Sequence, residues 1–210
     1  MKIIVVGAAG QAGSRIVAEA VDRGHEVTAV TRREVDTPAQ HALVKDAFDL
    51  SAADIKGADV VVDALSFPND PTQHVPSVEV LADAAAAAGA RLLVVGGAGS
   101  LFVDAEHTRM LAQTPEFPAE FLATAEGQIK QLAALRERDD VDWTFISPAA
   151  DFRADGPRTG NYQLAGEEFT TNAAGESVIS YADYASGLVD EAERTGDAAH
   201  RRARVSLLGS

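Results

Sequence analysis

Three glycines, Gly7, Gly10 and Gly13, follow the apolar run Ile3-Ile4-Val5-Val6 in the spacing G-x-x-G-x-x-G. Glycines so placed suit the holding of a pyrophosphate, although they also fit a plain tight turn. Gly7 lets the chain turn sharply off a strand, Gly10 leaves room for a pyrophosphate against bare backbone, and Gly13 lets a helix pack close to the sheet. Free N–H groups at the helix start, around Ala9, Gln11 and Ala12, would face the anion. A second apolar run, residues 25–30, ends in Thr31-Arg32-Arg33. NAD sites usually carry an acidic residue there for the ribose 2′-hydroxyl. Guanidinium groups instead bind phosphate through paired hydrogen bonds. The expected cofactor is therefore NADP(H) in preference to NAD(H), with Asp36 a few residues on acting against that preference. Arg32 and Arg33 also fit a plain solvated pair at a strand end.

The elements that would position these groups alternate. Apolar runs at 3–6, 25–30, 42–44, 59–65, 91–95, 141–146 and 203–207 predict strands. Helices are expected after Gly13 and over 75–88, 118–138 and 181–194. The alanine run 84–88 reads as ordinary helix ending at Gly89. The pattern predicts an α/β fold, a Rossmann-type doubly wound parallel sheet with helices on both faces. Ligands of such sheets lie at the carboxyl ends of the strands. Ala64-Leu65-Ser66, Gly96-Gly97-Ala98-Gly99-Ser100 and the stretch Ser147-Pro148-Ala149 to Phe152 all fall at that edge. A single domain is expected over 1–210: a nucleotide-binding core to about residue 148, then a substrate-side tail over 149–210. Short strands or extended loops are expected over 162–179.

Composition excludes several classes. The chain of 210 residues has 46% hydrophobic content, no cysteine, and 18 basic against 32 acidic residues, a formal charge of −14. A surface of that sign repels nucleic-acid phosphates and anionic lipid. No apolar run approaches the roughly eighteen residues of a membrane span. Absent cysteines remove disulfides, thiolate catalysis and thiolate-bound metal. No His or carboxylate spacing suggests another metal site. A cytoplasmic location and a small-molecule partner are the expectations, with the oligomeric state open. The Arg201-Arg202-Ala203-Arg204 cluster reads as the solvated lead-in to a last strand.

With these residues assembled, the chain resembles the atypical short-chain dehydrogenase/reductases. More narrowly it is similar to the NmrA-like NAD(P)H-binding group described as NADH-flavin reductases, akin to biliverdin reductase B. The resemblance rests on the glycine turn and on Val95-Gly96-Gly97-Ala98-Gly99-Ser100-Leu101. It continues in Trp143-Thr144-Phe145-Ile146-Ser147-Pro148-Ala149, in Arg158-Thr159-Gly160, and in residues 177–185, SVISYADYA. It implies a Rossmann fold, a nicotinamide dinucleotide, and often reduction of flavins, quinones or similar planar acceptors. It also implies adenine contacts at Asp46 and Ala47, although Asp46 fits a strand-end cap as well.

The wider superfamily carries Tyr-x-x-x-Lys on the helix before the sixth strand, where the Lys holds the nicotinamide ribose and lowers the Tyr pKa. Here that place reads Glu126-Gly127-Gln128-Ile129-Lys130. Lys130 is thus a candidate ribose ligand, while Glu126 and Lys130 equally fit a surface i,i+4 pair. Reducing a ketone needs an acid for the developing alkoxide. A reduced flavin or quinone is delocalised and can take its proton from water, so planar acceptors suit a site without the Tyr. Ser100 is the candidate side-chain donor, or a turn residue after glycines. Phe152 is the favoured aromatic wall among Phe102, Phe117, Phe121 and Phe152, and His107 and His74 are weaker acids. An NADPH-dependent reductase of planar acceptors is the leading expectation. A non-catalytic NADP(H) sensor and a sugar-nucleotide epimerase or dehydratase are the alternatives.

Overall fold

A computed structural model describes all residues, 1–210. Its centre is an eight-stranded sheet in the order β3-β2-β1-β4-β5-β6-β10-β8. The strands are β1 (Lys2–Val6), β2 (Glu26–Thr31), β3 (His41–Val44), β4 (Val60–Asp63), β5 (Arg91–Val95), β6 (Trp143–Pro148), β8 (Tyr162–Ala165) and β10 (Ala203–Gly209). Every pairing is parallel except that of β8 with β10. The first six strands carry the order of the dinucleotide-binding sheet. Ile3 of β1 lies between Val27 of β2 and Val60 of β4. A strand covered on both faces has no polar side, which is why the inner strands read as unbroken apolar runs.

The two faces bury separate cores. On one, α1 (Gln11–Asp22) and α4 (Tyr181–Glu193) pack Ile16, Val17, Ala20, Leu188 and Val189 against Ile3, Val5, Val27 and Val62. On the other, α2 (His74–Ala88) and α3 (Ala119–Arg136) pack Val78, Leu81, Leu132 and Leu135 against Ile4, Val6, Val61 and Val94. Gly89 caps α2 as expected, its N–H bonded to the last turn.

Two expectations change here. β4 stops at Asp63 rather than running on to Leu65, because the Leu65 N–H turns back to Asp63 Oδ1 at 3.0 Å. The last sixty residues are also not one appendage beside a core. β10 and β8 extend the main sheet and α4 fills half of one face, so only the loops and a small parallel pair, β7 (Asp151–Arg153) with β9 (Val178–Ser180), lie outside the main sheet. The tail is fastened by the residues that had looked like a motif. Arg158 donates to the buried Glu19 of α1 at 2.9 and 2.8 Å. Asp183 accepts from the Thr159 and Gly160 amides, both at 2.8 Å. Arg204 is not solvated: its side chain is fully buried, bonded to Glu167 and to Ser100. No helix is long and apolar enough to cross a membrane.

Candidate active site: a crevice at the carboxyl ends of the strands

The chain order reverses beside β1, and there a cleft of about 1130 Å³ opens along the carboxyl edge of the sheet. Its base is the glycine turn. Gly7 sits at φ +82°, and a Cβ on it would stand 2.7 Å from the Ala64 carbonyl oxygen of β4's exit. A Cβ on Gly13 would lie 2.2 Å from the Gly7 carbonyl oxygen, so α1 can start this close to the strand only with glycine there. The turn is tied to its neighbour, because the Gly7 and Ala8 amides both donate to Val30 O. At the head of α1 the amides of Gln11, Ala12 and Gly13 have no i−4 partner within the helix. Gly7, Ala9, Gly10, Gln11 and Ala12 line the cleft, while Gly13 lies behind Gly7.

One end is basic. Thr31, Arg32 and Arg33 line it, and the Thr31 hydroxyl donates to Arg33 O at 2.7 Å, which fixes the turn carrying both arginines. Both guanidinium groups are exposed, and neither forms an ion pair. Asp36 does not line the cleft. Lys45, which sequence reasoning passed over, also lines it, yet its ammonium is held by both oxygens of Asp54 at 2.9 and 2.8 Å. Lys45 and Ser51 hold the Asp54 carboxyl down at about 2. The arginines are therefore the free positive charge of this end, in a chain of net charge −14. Asp46 and Ala47 lie beside them and line the cleft, and Asp46 caps the turn after β3 by accepting from Phe48 N at 3.1 Å.

The other end lies across the ends of β4 and β5. Ala64, Leu65, Ser66 and Gly96 line it, with Phe152 from β7. The ring of Phe152 is stacked on that of Tyr181, the first residue of α4, at 3.7 Å between centroids and 20° between planes. Tyr181 and Gln128 also line this crevice and were not anticipated; Phe121, one of the four aromatic walls considered but not the favoured one, lines it as well. For Phe121 and Gln128 a usable signal existed: they lie seven residues apart, two turns along one face of α3. Tyr181 lies within the motif 177–185, but its place at the crevice depends on β7 pairing with β9.

Other anticipated residues lie elsewhere. Ser100 is 3% exposed. Its hydroxyl faces Gly97 O and the Arg204 guanidinium, both at 3.4 Å, so it braces a buried ion pair and does not reach the cleft. Lys130 is exposed on α3 outside the cleft and pairs with nothing, Glu126 included. Two residues past Gln128, it points about 200° away around the helix. Gly97 and Ala98 lie just past the lining at Gly96, with Gly97 packed against the Gln128 side chain. Pro148 and Ala149 are buried at the end of β6 and do not line the cleft. His107 stacks on Phe102 at 4.5 Å and bonds Glu168 at 2.7 Å, away from the cleft. His74 is buried edge-on to Phe67, and burial lowers its pKa.

A Rossmann sheet with a glycine cradle, unpartnered amides and a phosphate-sized basic end defines a dinucleotide-binding protein. Residues 7–195 match the NAD(P)H-binding family, and the chain belongs to it. It is 48% identical over 200 residues to the Bacillus subtilis protein YwnB, covering 92% of each chain. Among solved structures, a Streptococcus pneumoniae protein proposed to be an NADH-flavin reductase superimposes with a TM-score of 0.95 at 48% identity, over 100% of both chains. A Bacteroides thetaiotaomicron protein proposed to be an epimerase gives 0.87 at 34% identity, over 99% of this chain and 96% of that one.

Proposed function

We propose that this protein is an NADPH-dependent reductase of planar acceptors such as a flavin or a quinone. The observation that carries the reading is the polarity of a single crevice, with two unpaired arginines at one end and a flat aromatic pair at the other. From β2 to β5 the sheet runs three strand spacings, about 14 Å, the scale of an extended dinucleotide. In this reading the amides of Gln11 and Ala12 bond the pyrophosphate and Asp46 and Ala47 border the adenine. Arg32 and Arg33 pair with the 2′-phosphate. Ala64 to Ser66 and Gly96 support the nicotinamide end. Bound NADPH supplies a hydride. The chain's own work is to hold the acceptor ring against Phe152 and Tyr181 and to keep water from the face between the rings. The relative proposed to reduce flavin supports the same chemistry; the one proposed to be an epimerase does not, because α3 contains no tyrosine.

The test is direct. Purified protein is mixed with NADPH or NADH and with FMN or menadione, and nicotinamide absorbance is followed. Turnover with NADPH exceeding that with NADH is the expected result. Binding of NADPH without turnover on any planar acceptor would replace this reading with that of a nucleotide sensor.

A further inference from the structure

The chain has three tyrosines. Two are committed to structure: the Tyr184 hydroxyl donates to Ile146 O at 2.7 Å, and that of Tyr162 to Asp190 Oδ2 at 2.5 Å. The third, Tyr181, lines the crevice, and its hydroxyl makes no hydrogen bond within the chain. Its ring is held flat on Phe152, so the hydroxyl is carried on a fixed support and not on a swinging side chain. At the end of the crevice remote from the arginines, the other polar side chains are those of Ser66 and Gln128, neither of which gives up a proton near neutral pH.

We infer that the Tyr181 hydroxyl is the proton donor to an acceptor oxygen, and that the acceptor class is therefore quinone-like, reduced at carbonyl oxygen. The inference rests on the reductase reading above and narrows it. The balance is that of a two-electron reduction. The acceptor gains a hydride from NADPH, which is oxidised to NADP⁺. The Tyr181 O–H bond breaks as an O–H bond forms at the acceptor oxygen, and water entering the open cleft returns a proton to the phenolate. Burial raises the Tyr181 phenol above its ordinary value while the nearby Arg15 guanidinium of α1 acts in the opposite direction; Tyr184, buried and protonated on the same helix, adds no charge. The hydroxyl is thus protonated at neutral pH, burial outweighing the opposing pull of Arg15. Water can protonate a reduced quinone, but a fixed phenol at its carbonyl oxygen delivers the proton as the hydride arrives and so speeds the step, whereas a flavin accepts hydride at a ring nitrogen and depends less on it. The role often given to a tyrosine on the helix before the sixth strand would here come from α4, on the far side of the crevice.

Tyr181→Phe keeps the stacked ring and removes only the hydroxyl. The expected result is a fall in kcat with menadione of about 100-fold. The fall with FMN should be smaller, so that the menadione-to-FMN ratio of kcat drops at least about tenfold. A readout independent of turnover is the affinity for menadione in the presence of NADP⁺, where no hydride is available; loss of one hydrogen bond should weaken it about 2–10-fold. NADP⁺ affinity within about threefold of wild type shows that the crevice is intact. Equal losses on menadione and FMN, or a menadione kcat unchanged to within about threefold, would overturn the inference while leaving the reductase reading standing. A wild-type protein that reduces neither acceptor would remove the reading itself.

Discussion

Asp63→Asn should stabilise this protein, and more so as pH rises. Asp63 ends β4 directly beneath the crevice and is 1% exposed. Its Oδ1 accepts from the Leu65 amide at 3.0 Å, and its Oδ2 from Gln131 Nε2 at 3.3 Å, with no cation in contact. Burial pushes the carboxyl up to about 7, and the Leu65 amide offsets only part of this. An unfolded Asp titrates near 4, so between about pH 4 and 7 the folded chain keeps a proton that the unfolded chain has released. Stability drains away through that window and levels off above pH 7. The shift of about three units corresponds to about 4 kcal/mol in all. About 3 kcal/mol of it falls between pH 5 and 8. That is a large share of the 5–15 kcal/mol typical of a domain.

Asparagine carries no such penalty. It accepts the Leu65 amide as before, and a half-turn of the Gln131 amide presents Oε1, a buried oxygen with no partner, to the new Nδ2. Urea unfolding of both proteins at pH 5, 6, 7 and 8 gives the difference directly and cancels the opposing contribution of paired carboxylates such as Glu19, Glu167 and Glu191, whose values are lowered. The advantage of the variant should grow by about 3 kcal/mol across that range. A difference that stays constant with pH, or a variant less stable at pH 8, would refute a buried carboxyl that ionises near neutrality.

Other predictions concern the crevice and its surroundings. Replacing Arg32 and Arg33 together by Ala should weaken NADPH about 10–100-fold, as measured by calorimetry, and leave NADH within about twofold. Gly13→Ala puts a methyl group 2.2 Å from the Gly7 carbonyl oxygen. It should cost about 1–3 kcal/mol in urea unfolding and weaken both nucleotides, because α1 must back away from the turn. Lys130→Ala should leave kcat and nucleotide affinity unchanged. Ser100→Ala should lower stability by about 1 kcal/mol through the Arg204 contact, with menadione kcat within about twofold.

What could be read in the chain beforehand follows from how far each feature depends on distant residues. The glycine turn, the arginines and the parallel strands are local: a strand buried on both faces needs apolar residues throughout, and a turn against β4 needs glycine. Those were legible. Lys130 and Ser100 were misplaced because their surroundings are tertiary. The face that α3 turns to the crevice is set by packing through Gly127, where a Cβ would meet Pro71 O at 2.5 Å. Ser100 is sealed over by Arg204, whose burial depends on Glu167 some forty residues away. Strands of three residues, as β7 and β9 are, have no period to detect, so the partnership of Phe152 with Tyr181 had no trace in sequence.

The two ends of the crevice are therefore built by different means. The basic end is made of backbone and of residues adjacent in sequence, all within the first fifty residues. The end proposed to take the acceptor adds Phe152 of β7 and Tyr181 of α4 to residues from β4, β5 and α3, and the chain between β7 and α4 is anchored by Arg158 on Glu19 and by Asp183 on the Thr159–Gly160 turn. Those anchors touch α1 and α4 but not the lining itself. Substitutions at Phe152 or Tyr181 can then alter the acceptor while the glycine cradle and the arginines continue to hold the same nucleotide. If the protein is the reductase proposed above, cofactor choice and acceptor choice are separable, and the second should vary more readily than the first.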